Sequence, residues 1–126
     1  MKSVIVKILS VSAMVAVFST NAQADSAAMA AAGAEVFKRC QACHSEDVSK
    51  NAFGPSLAGV VGRKAATLPR FAYSEALAQS EIVWTEDNLR MWVEDNAKLV
   101  PGTRMRHVAI TDKAEQDYLI EYLKTL

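Results

Sequence analysis

Two cysteines and a histidine stand within five residues of one another, in the run Cys40-Gln41-Ala42-Cys43-His44. This C-x-x-C-H spacing is typical of the attachment site of a c-type haem. Two thiols can add to the two vinyl groups of the porphyrin, and the two-residue spacer sets the reach between them on a helical turn. The adjacent imidazole then lies against the ring, where it can take the proximal position on the iron. The motif therefore predicts one haem c, linked through Cys40 and Cys43 and coordinated by His44.

Three other kinds of site use the same residue types: a thioredoxin-like redox pair, a disulfide and half of a zinc site. The redox pair is typical of a βαβ context, and no strand pattern of useful length occurs in this chain. A structural zinc ion needs four ligands, whereas the chain has two cysteines and only His107 as a second histidine. These features favour the haem over the three alternatives.

The first 24 residues have the three-part layout of a secretory signal peptide. A short basic start precedes an apolar run over residues 8–18, and Ala22-Gln23-Ala24 forms a small-x-small cleavage site. The apolar run is too short to span a bilayer comfortably, and an uncleaved membrane anchor is the alternative. We expect cleavage after Ala24 and a mature domain of residues 25–126 in the periplasm. Export agrees with the haem motif, because bacterial c-type haem is attached outside the cytoplasm.

Composition limits the remaining possibilities. A chain of 126 residues with 51% hydrophobic residues fits one folded domain and excludes a disordered chain. The 14 basic and 14 acidic side chains balance, so no electrostatic argument supports nucleic-acid binding. Two cysteines are too few for a disulfide scaffold. No second long apolar run follows the leader, and a soluble mature protein is expected.

The pattern of apolar residues and caps predicts an all-α domain. The predicted helices cover residues 26–39, about 74–80, about 85–95 and 111 to the last turn of the chain. Ser26, Thr85 and Thr111 are the candidate N-caps of the first, third and last of these helices. The intervening residues 45–73 and 97–110 are interpreted as ordered loops. Because loops make up nearly half of this small domain, something other than side chains is expected to fill its centre.

Five stretches beyond C-x-x-C-H match the motifs of one known family, and they occur in the family's order. They are Gly54-Pro55-Ser56-Leu57 with Gly62-Arg63-Lys64, Phe71-Ala72-Tyr73-Ser74, Trp84-Thr85-Glu86-Asp87-Asn88-Leu89, Val100-Pro101-Gly102-Thr103-Arg104-Met105 and Leu119-Ile120-Glu121-Tyr122-Leu123. With them the chain resembles the class I cytochromes c, of the soluble bacterial kind closest to mitochondrial cytochrome c. The resemblance covers residues 33–123. It implies the class I fold, in which several helices and long ordered loops surround one covalent haem.

The resemblance implies that Met105 is the second axial ligand of the iron. Met105 follows Pro101 and Gly102, which stiffen and bend its loop, whereas the rivals Met29 and Met91 lie on predicted helices. Iron with both axial positions filled has no open site for oxygen or substrate, which indicates electron transfer and not catalysis. The alternatives are a peroxidase-like haem enzyme and a gas-binding haem module, both of which need a labile sixth ligand.

The resemblance also implies how the haem and its ligands are supported. The carbonyl of Pro55 is expected to accept a hydrogen bond from His44, which orients the imidazole. The residues that match the family's partners of the haem propionates are Arg63, Tyr73, Trp84 and Thr103. Gly33 and Phe37 on the first helix match the family's close contact with the last helix, which the absence of a Cβ at Gly33 permits.

Two positions depart from the pattern of the family. Trp92 stands where the mitochondrial protein has a tyrosine whose hydroxyl reaches the methionine sulfur, and we expect that an indole cannot reproduce that O–H geometry. His107 stands where a phenylalanine commonly shields the haem edge. We expect His107 to be exposed or packed at that edge; displacement of Met105 by the neutral imidazole at high pH is the alternative.

Charge suggests a docking surface. Lys98, Arg104 and Arg106 surround Met105 in sequence without an acid, and in the family's fold Lys38 and Arg39 lie nearby. A basic ring around the haem edge would steer it toward an acidic partner, and an ordinary mixed surface is the alternative. The sequence therefore predicts a monomeric periplasmic carrier that moves single electrons by outer-sphere transfer. Its donor would be a cytochrome bc complex or a periplasmic dehydrogenase, and its acceptor an oxidase, a reductase or a photosynthetic reaction centre.

Overall fold

The computed structural model describes residues 19–126, which form four helices joined by long loops. The helices are α1 (Ser19–Phe37), α2 (Glu75–Gln79), α3 (Glu86–Leu99) and α4 (Lys113–Leu123). Within these residues the β pairing is limited to one isolated antiparallel bridge between Lys64 and Val83. The prediction of an all-α fold is confirmed.

Most of the expected signal peptide, residues 1–18, lies outside the described residues. The expected cleavage site after Ala24 falls inside α1, so a mature chain would keep this helix from Asp25 onward. None of the helices in residues 19–126 combines the length and the apolar character needed to cross a membrane.

Helices α1 and α4 cross at very short range. A Cβ built on Gly33 would lie 2.6 Å from the carbonyl carbon of Tyr118 and 2.7 Å from Cβ of Tyr122, so only glycine allows this approach. One turn later, the rings of Phe37 and Tyr122 pack with their centroids 5.1 Å apart. The helix contact predicted around Gly33 and Phe37 is therefore present, and it fixes the end of α1 from which the C-x-x-C-H run leaves.

Two of the helices begin as their sequences predict. The hydroxyl of Ser74 accepts a hydrogen bond from the backbone N–H of Leu77 at the start of α2, and the hydroxyl of Thr85 accepts one from Asn88 at the start of α3. Each cap satisfies an N–H group that has no partner within its helix. Helix α2 then runs only to Gln79, close to the predicted length.

Two predicted caps are wrong. The last helix is capped by Asp112 and not by Thr111, because the Asp112 carboxylate accepts the hydrogen bond from the Glu115 N–H at 3.0 Å. Ser26 is an interior residue of α1, since that helix already begins at Ser19. Its hydroxyl instead donates to Glu121 Oε2 at 3.0 Å and joins α1 to α4.

Helix α3 is interrupted at Asp95, which is where the sequence predicted that it ends. Asp95 has φ −157° and ψ 88°, and its carboxylate accepts a hydrogen bond from the N–H of Lys98 at 3.0 Å. Asp95 therefore acts as the N-cap of a short second segment that continues the helix to Leu99.

The loop of residues 100–112, called here the methionine loop, runs between α3 and α4 and is fixed near its far end. The Ile110 N–H donates to the carbonyl of Val93 at 2.8 Å, and the carbonyl of Ile110 accepts from Gln116 Nε2 at 2.7 Å. Ile110 and Gln116 are both buried, so these contacts connect the loop to both helices within the core.

Candidate haem site

The C-x-x-C-H run forms two tight turns directly after α1. The Cys40 N–H donates to the carbonyl of Phe37 at 2.7 Å, and the His44 N–H donates to the carbonyl of Cys40 at 2.9 Å. These turns place Cys40 partly inside the protein, Cys43 at its surface and His44 inside. Burial raises the pKa of the Cys40 thiol, which keeps it protonated at neutral pH. Both sulfurs are free thiols, as thioether formation requires.

The imidazole of His44 is held in one orientation. Its Nδ1 lies 2.7 Å from the carbonyl oxygen of Pro55, so Nδ1 carries the hydrogen and donates it. Burial lowers the pKa of His44, and the hydrogen bond to Pro55 opposes this shift only in part. The ring is therefore neutral at neutral pH, with a lone pair on Nε2. Within residues 19–126 no side chain or backbone group hydrogen-bonds to Nε2, which leaves it able to bind a metal.

Gly54 forms a cradle against the same ring. A Cβ at Gly54 would lie 2.7 Å from Nδ1 and 2.9 Å from Nε2 of His44, inside normal contact distance. The Gly54 N–H also donates to the carbonyl of Cys43 at 2.7 Å, which keeps this backbone flat against the imidazole. In the sequence, Gly54 stands out only as part of a motif. The signal for its role is its position immediately before Pro55, the residue that accepts the His44 hydrogen bond.

Met105 is half-buried on the methionine loop, and its sulfur has a hydrogen-bond partner. The indole Nε1–H of Trp92 donates to Met105 Sδ across 3.2 Å. We expected that an indole could not reproduce the O–H geometry of tyrosine, but the indole N–H does make a hydrogen bond to this sulfur. Trp92 is fixed by an edge-on contact with Trp84, with ring centroids 5.0 Å apart. The rival Met91 is 46% exposed on the outer face of α3.

Three of the four predicted propionate partners lie together. Backbone hydrogen bonds of 2.8 Å join the Arg63 carbonyl to the Trp84 N–H and the Trp84 carbonyl to the Gly62 N–H. Burial raises the pKa of the Tyr73 phenol. The positive charge of the Arg63 guanidinium acts in the opposite direction and lowers this pKa. Arg63 and Trp84 are therefore joined through the backbone, and Tyr73 lies within electrostatic range of Arg63.

Arg63 and Thr103 also have structural contacts. The Arg63 guanidinium donates to the carbonyls of Ala58 at 2.7 Å and Ser56 at 3.0 Å. Thr103, the fourth predicted partner, is buried on the methionine loop, where its N–H donates to the carbonyl of Val100 at 3.1 Å. The contacts of Arg63 order the loop that follows Pro55, a function which the sequence analysis did not assign.

His107 is exposed, as expected, and its Nδ1 lies 2.9 Å from the carbonyl of Val108.

The predicted basic ring is smaller than expected. Lys38 forms an ion pair with Glu35, and Arg39 forms a two-point ion pair with Glu115. Both cations are therefore neutralised by neighbouring carboxylates on the protein surface.

The residues present fit a covalent haem c. Two free thiols lie on consecutive turns beside a neutral imidazole whose Nε2 is unprotonated, and a thioether with a fixed sulfur lies on a separate loop. Nitrogen and thioether sulfur are the donor set that stabilises low-spin haem iron and raises its reduction potential. Arg63 and Tyr73 carry polar groups of the kind that buried propionates need.

Comparisons with known proteins agree with this chemistry. The cytochrome c family description matches residues 30–126. Cytochrome c2 of Blastochloris viridis is 42% identical over 96 residues, which are 75% of this chain and 76% of that protein. Cytochrome c2 iso-2 of Magnetospirillum fulvum is 42% identical over 90 residues, which are 71% of this chain and 94% of that protein. The solved structure of cytochrome cH from Methylobacterium extorquens is 44% identical and superposes with a TM-score of 0.72, over 77% of this chain and 98% of that one.

Proposed function

This chain belongs to the cytochrome c family, and on that premise we propose that it is a periplasmic electron carrier whose haem iron is held by His44 and Met105. The family assignment itself makes the protein an electron-carrying haem protein with one covalent haem c, and not an enzyme. The haem supplies a one-electron redox couple when it is bound. The role of the protein is to hold the same two ligands on the iron in both oxidation states.

The ligand assignment is supported by one observation: a hydrogen bond fixes the orientation of each of the two side chains, His44 and Met105. The carbonyl of Pro55 fixes the Nδ1 side of His44 at 2.7 Å and leaves Nε2 for the metal. The indole of Trp92 fixes the sulfur of Met105 at 3.2 Å. Side chains that are held before and after an electron arrives need little rearrangement, and this is what rapid outer-sphere transfer requires.

The assignment is tested by ligand exclusion. We expect the ferrous protein to bind carbon monoxide slowly and incompletely, because the sulfur of Met105 occupies the distal side. Met105→Ala would open that side and give immediate binding. The matched control is Met91→Ala, which removes an exposed methionine side chain from α3. Wild-type protein that binds carbon monoxide as fast as Met105→Ala would refute His/Met ligation and would favour a gas-binding module.

We propose that the protein reaches the periplasm by cleavage after Ala24. The sequence of residues 1–24 supports this proposal, and shortening α1 to begin at Asp25 would retain Gly33 and its crossing with α4. The mass of the protein purified from a bacterial periplasm is expected to equal residues 25–126 plus one haem. A mass that includes residues 1–24 would contradict this.

We also propose that the methionine loop docks against an acidic surface on the redox partner. In residues 19–126, Lys98, Arg104 and Arg106 are all exposed and none forms an ion pair. Lys64 is instead paired with Glu81. Candidate partners are a cytochrome bc complex or dehydrogenase as donor and an oxidase, reductase or reaction centre as acceptor.

The docking proposal is tested by charge removal at two places. We expect Arg104→Gln to slow the second-order rate of electron transfer to an acidic redox protein at low ionic strength, with the difference vanishing as salt is added. Lys64→Gln removes the same charge from another loop and serves as the control. Equal slowing in both variants, or rates that do not change with salt, would refute docking through this loop.

A further inference from the structure

The backbone around Met105 makes few hydrogen bonds to other backbone groups. In the part of the chain that the structure describes, no backbone N–H or carbonyl of residues 104–109 is hydrogen-bonded to another backbone group. The nearest such bonds on either side are those of the Thr103 N–H to the carbonyl of Val100, at 3.1 Å, and of the Ile110 N–H to the carbonyl of Val93, at 2.8 Å. The position of Met105 therefore depends on side chains that reach this part of the loop.

One of these side chains is Asn96, a residue that the sequence analysis did not select. Its Nδ2 donates to the backbone carbonyl of Met105 at 2.9 Å, and the residue is only 7% exposed. Asn96 lies four residues after Trp92, just beyond the interruption of α3 at Asp95. Trp92 therefore holds the sulfur of Met105, and Asn96 holds its carbonyl from inside the protein. The Arg106 guanidinium donates to the same oxygen at 3.0 Å from an exposed position.

Asn96 is itself fixed before it contacts the loop. It follows Asp95, whose non-helical backbone and carboxylate cap begin the second segment of α3. The carbonyl of Asn96 accepts the N–H of Val100 at 2.9 Å and so closes that segment. A donor held in place in a buried position loses little entropy when it binds, and water competes with it poorly.

We propose that Asn96 is a positioning residue that keeps the methionine loop closed and so keeps the Met105 sulfur from being displaced by an external ligand. The proposal rests on the proposed function, because it has a consequence only if Met105 coordinates the iron. Asn96 acts through the backbone of Met105.

The test is the affinity of the ferric holoprotein for imidazole, read from its visible spectrum. Imidazole binds only when the loop opens, so its apparent affinity rises with the open fraction. We expect Asn96→Ala to lower the dissociation constant about tenfold, which corresponds to about 1.4 kcal/mol in the opening equilibrium. Asn96→Asp should have at least this effect, because it places an acceptor against the Met105 carbonyl. Because a buried carboxylate without a partner is costly, the free energy of unfolding of each variant is measured alongside its imidazole affinity.

Asn88 on the same helix provides the control, since its Nδ2 donates to the carbonyl of Val83 at 2.7 Å, on a different loop. Asn88→Ala should leave imidazole affinity unchanged. Unchanged affinity in both Asn96 variants would overturn the proposal. The proposal would also be overturned if Asn88→Ala and Asn96→Ala changed the imidazole affinity equally and in proportion to their loss of unfolding free energy. Failure of the proposed function would look different, because the wild-type protein would then bind imidazole as tightly as Met105→Ala.

Discussion

Replacing Gly54 by alanine tests how closely the protein holds the imidazole of His44. The new Cβ would lie 2.7 Å from Nδ1, about 0.7 Å inside the lower limit of ordinary contact. Moving the buried ring to relieve this contact would disturb its hydrogen bond to the carbonyl of Pro55, which is 2.7 Å from Nδ1. Leaving that carbonyl unpaired costs about 1–3 kcal/mol. Overpacking costs about 1–3 kcal/mol more. We therefore expect Gly54→Ala to lower the free energy of unfolding by about 2–6 kcal/mol, out of a total near 5–15 kcal/mol.

The control for Gly54→Ala is Gly59→Ala. A Cβ at Gly59 meets nothing within 4 Å, but its φ of +62° makes alanine cost about 1–2 kcal/mol in backbone strain. The control thus measures strain without contact, whereas Gly54→Ala measures contact with the ring. Guanidinium unfolding of the two holoproteins gives the comparison, and the yield of haem-loaded protein gives a second reading. Equal losses of stability in the two variants would refute the argument that Gly54 cradles the imidazole.

Two further predictions concern the fold around the site. Gly33→Ala should lower the free energy of unfolding by about 2 kcal/mol or more, because its Cβ would meet the backbone of Tyr118. This loss outweighs the better helix propensity of alanine. A variant that unfolds at the same temperature as the wild-type protein would contradict this. Tyr122 donates to Glu46, whose carboxylate raises the pKa of the phenol to about 12. The raised pKa means that this contact stabilises the fold fully below about pH 10 and is lost as the pH rises through 12. In Glu46→Gln, NMR of ¹³C-labelled tyrosine rings should show the Tyr122 pKa falling toward 10, and an unchanged pKa would exclude the carboxylate as the cause.

The parts of the site that are local in sequence could be predicted from it. The C-x-x-C-H spacing places the two thiols and His44 on consecutive turns whatever the rest of the fold does. The Gly54-Pro55 pair indicated the partner of His44 through its resemblance to a known motif. The crossing at Gly33 was predictable from the same resemblance. Glycine within a helix is also a signal in itself, because it is costly unless a close neighbour requires it.

The contacts that depend on tertiary packing could not be predicted. Whether the indole of Trp92 reaches the sulfur depends on the tilt that Trp84 imposes on it. Asn96 has no pattern of its own, since a polar residue near the end of a helix is ordinarily exposed. Arg39 is neutralised by Glu115, which is 76 residues away in the chain. The predicted basic ring failed at Arg39 because charge counted along the sequence does not show which partners meet in space.

The central claim is that the haem iron is held by nitrogen of His44 and sulfur of Met105. The most direct test is the proton NMR spectrum of the reduced holoprotein with ¹³C-labelled methionine methyl groups. The ring current of the porphyrin should shift one methionine methyl signal far upfield, and that signal should vanish in Met105→Leu and persist in Met91→Leu. A spectrum with no shifted methyl signal, or one in which the shifted signal survives in Met105→Leu, would contradict the account.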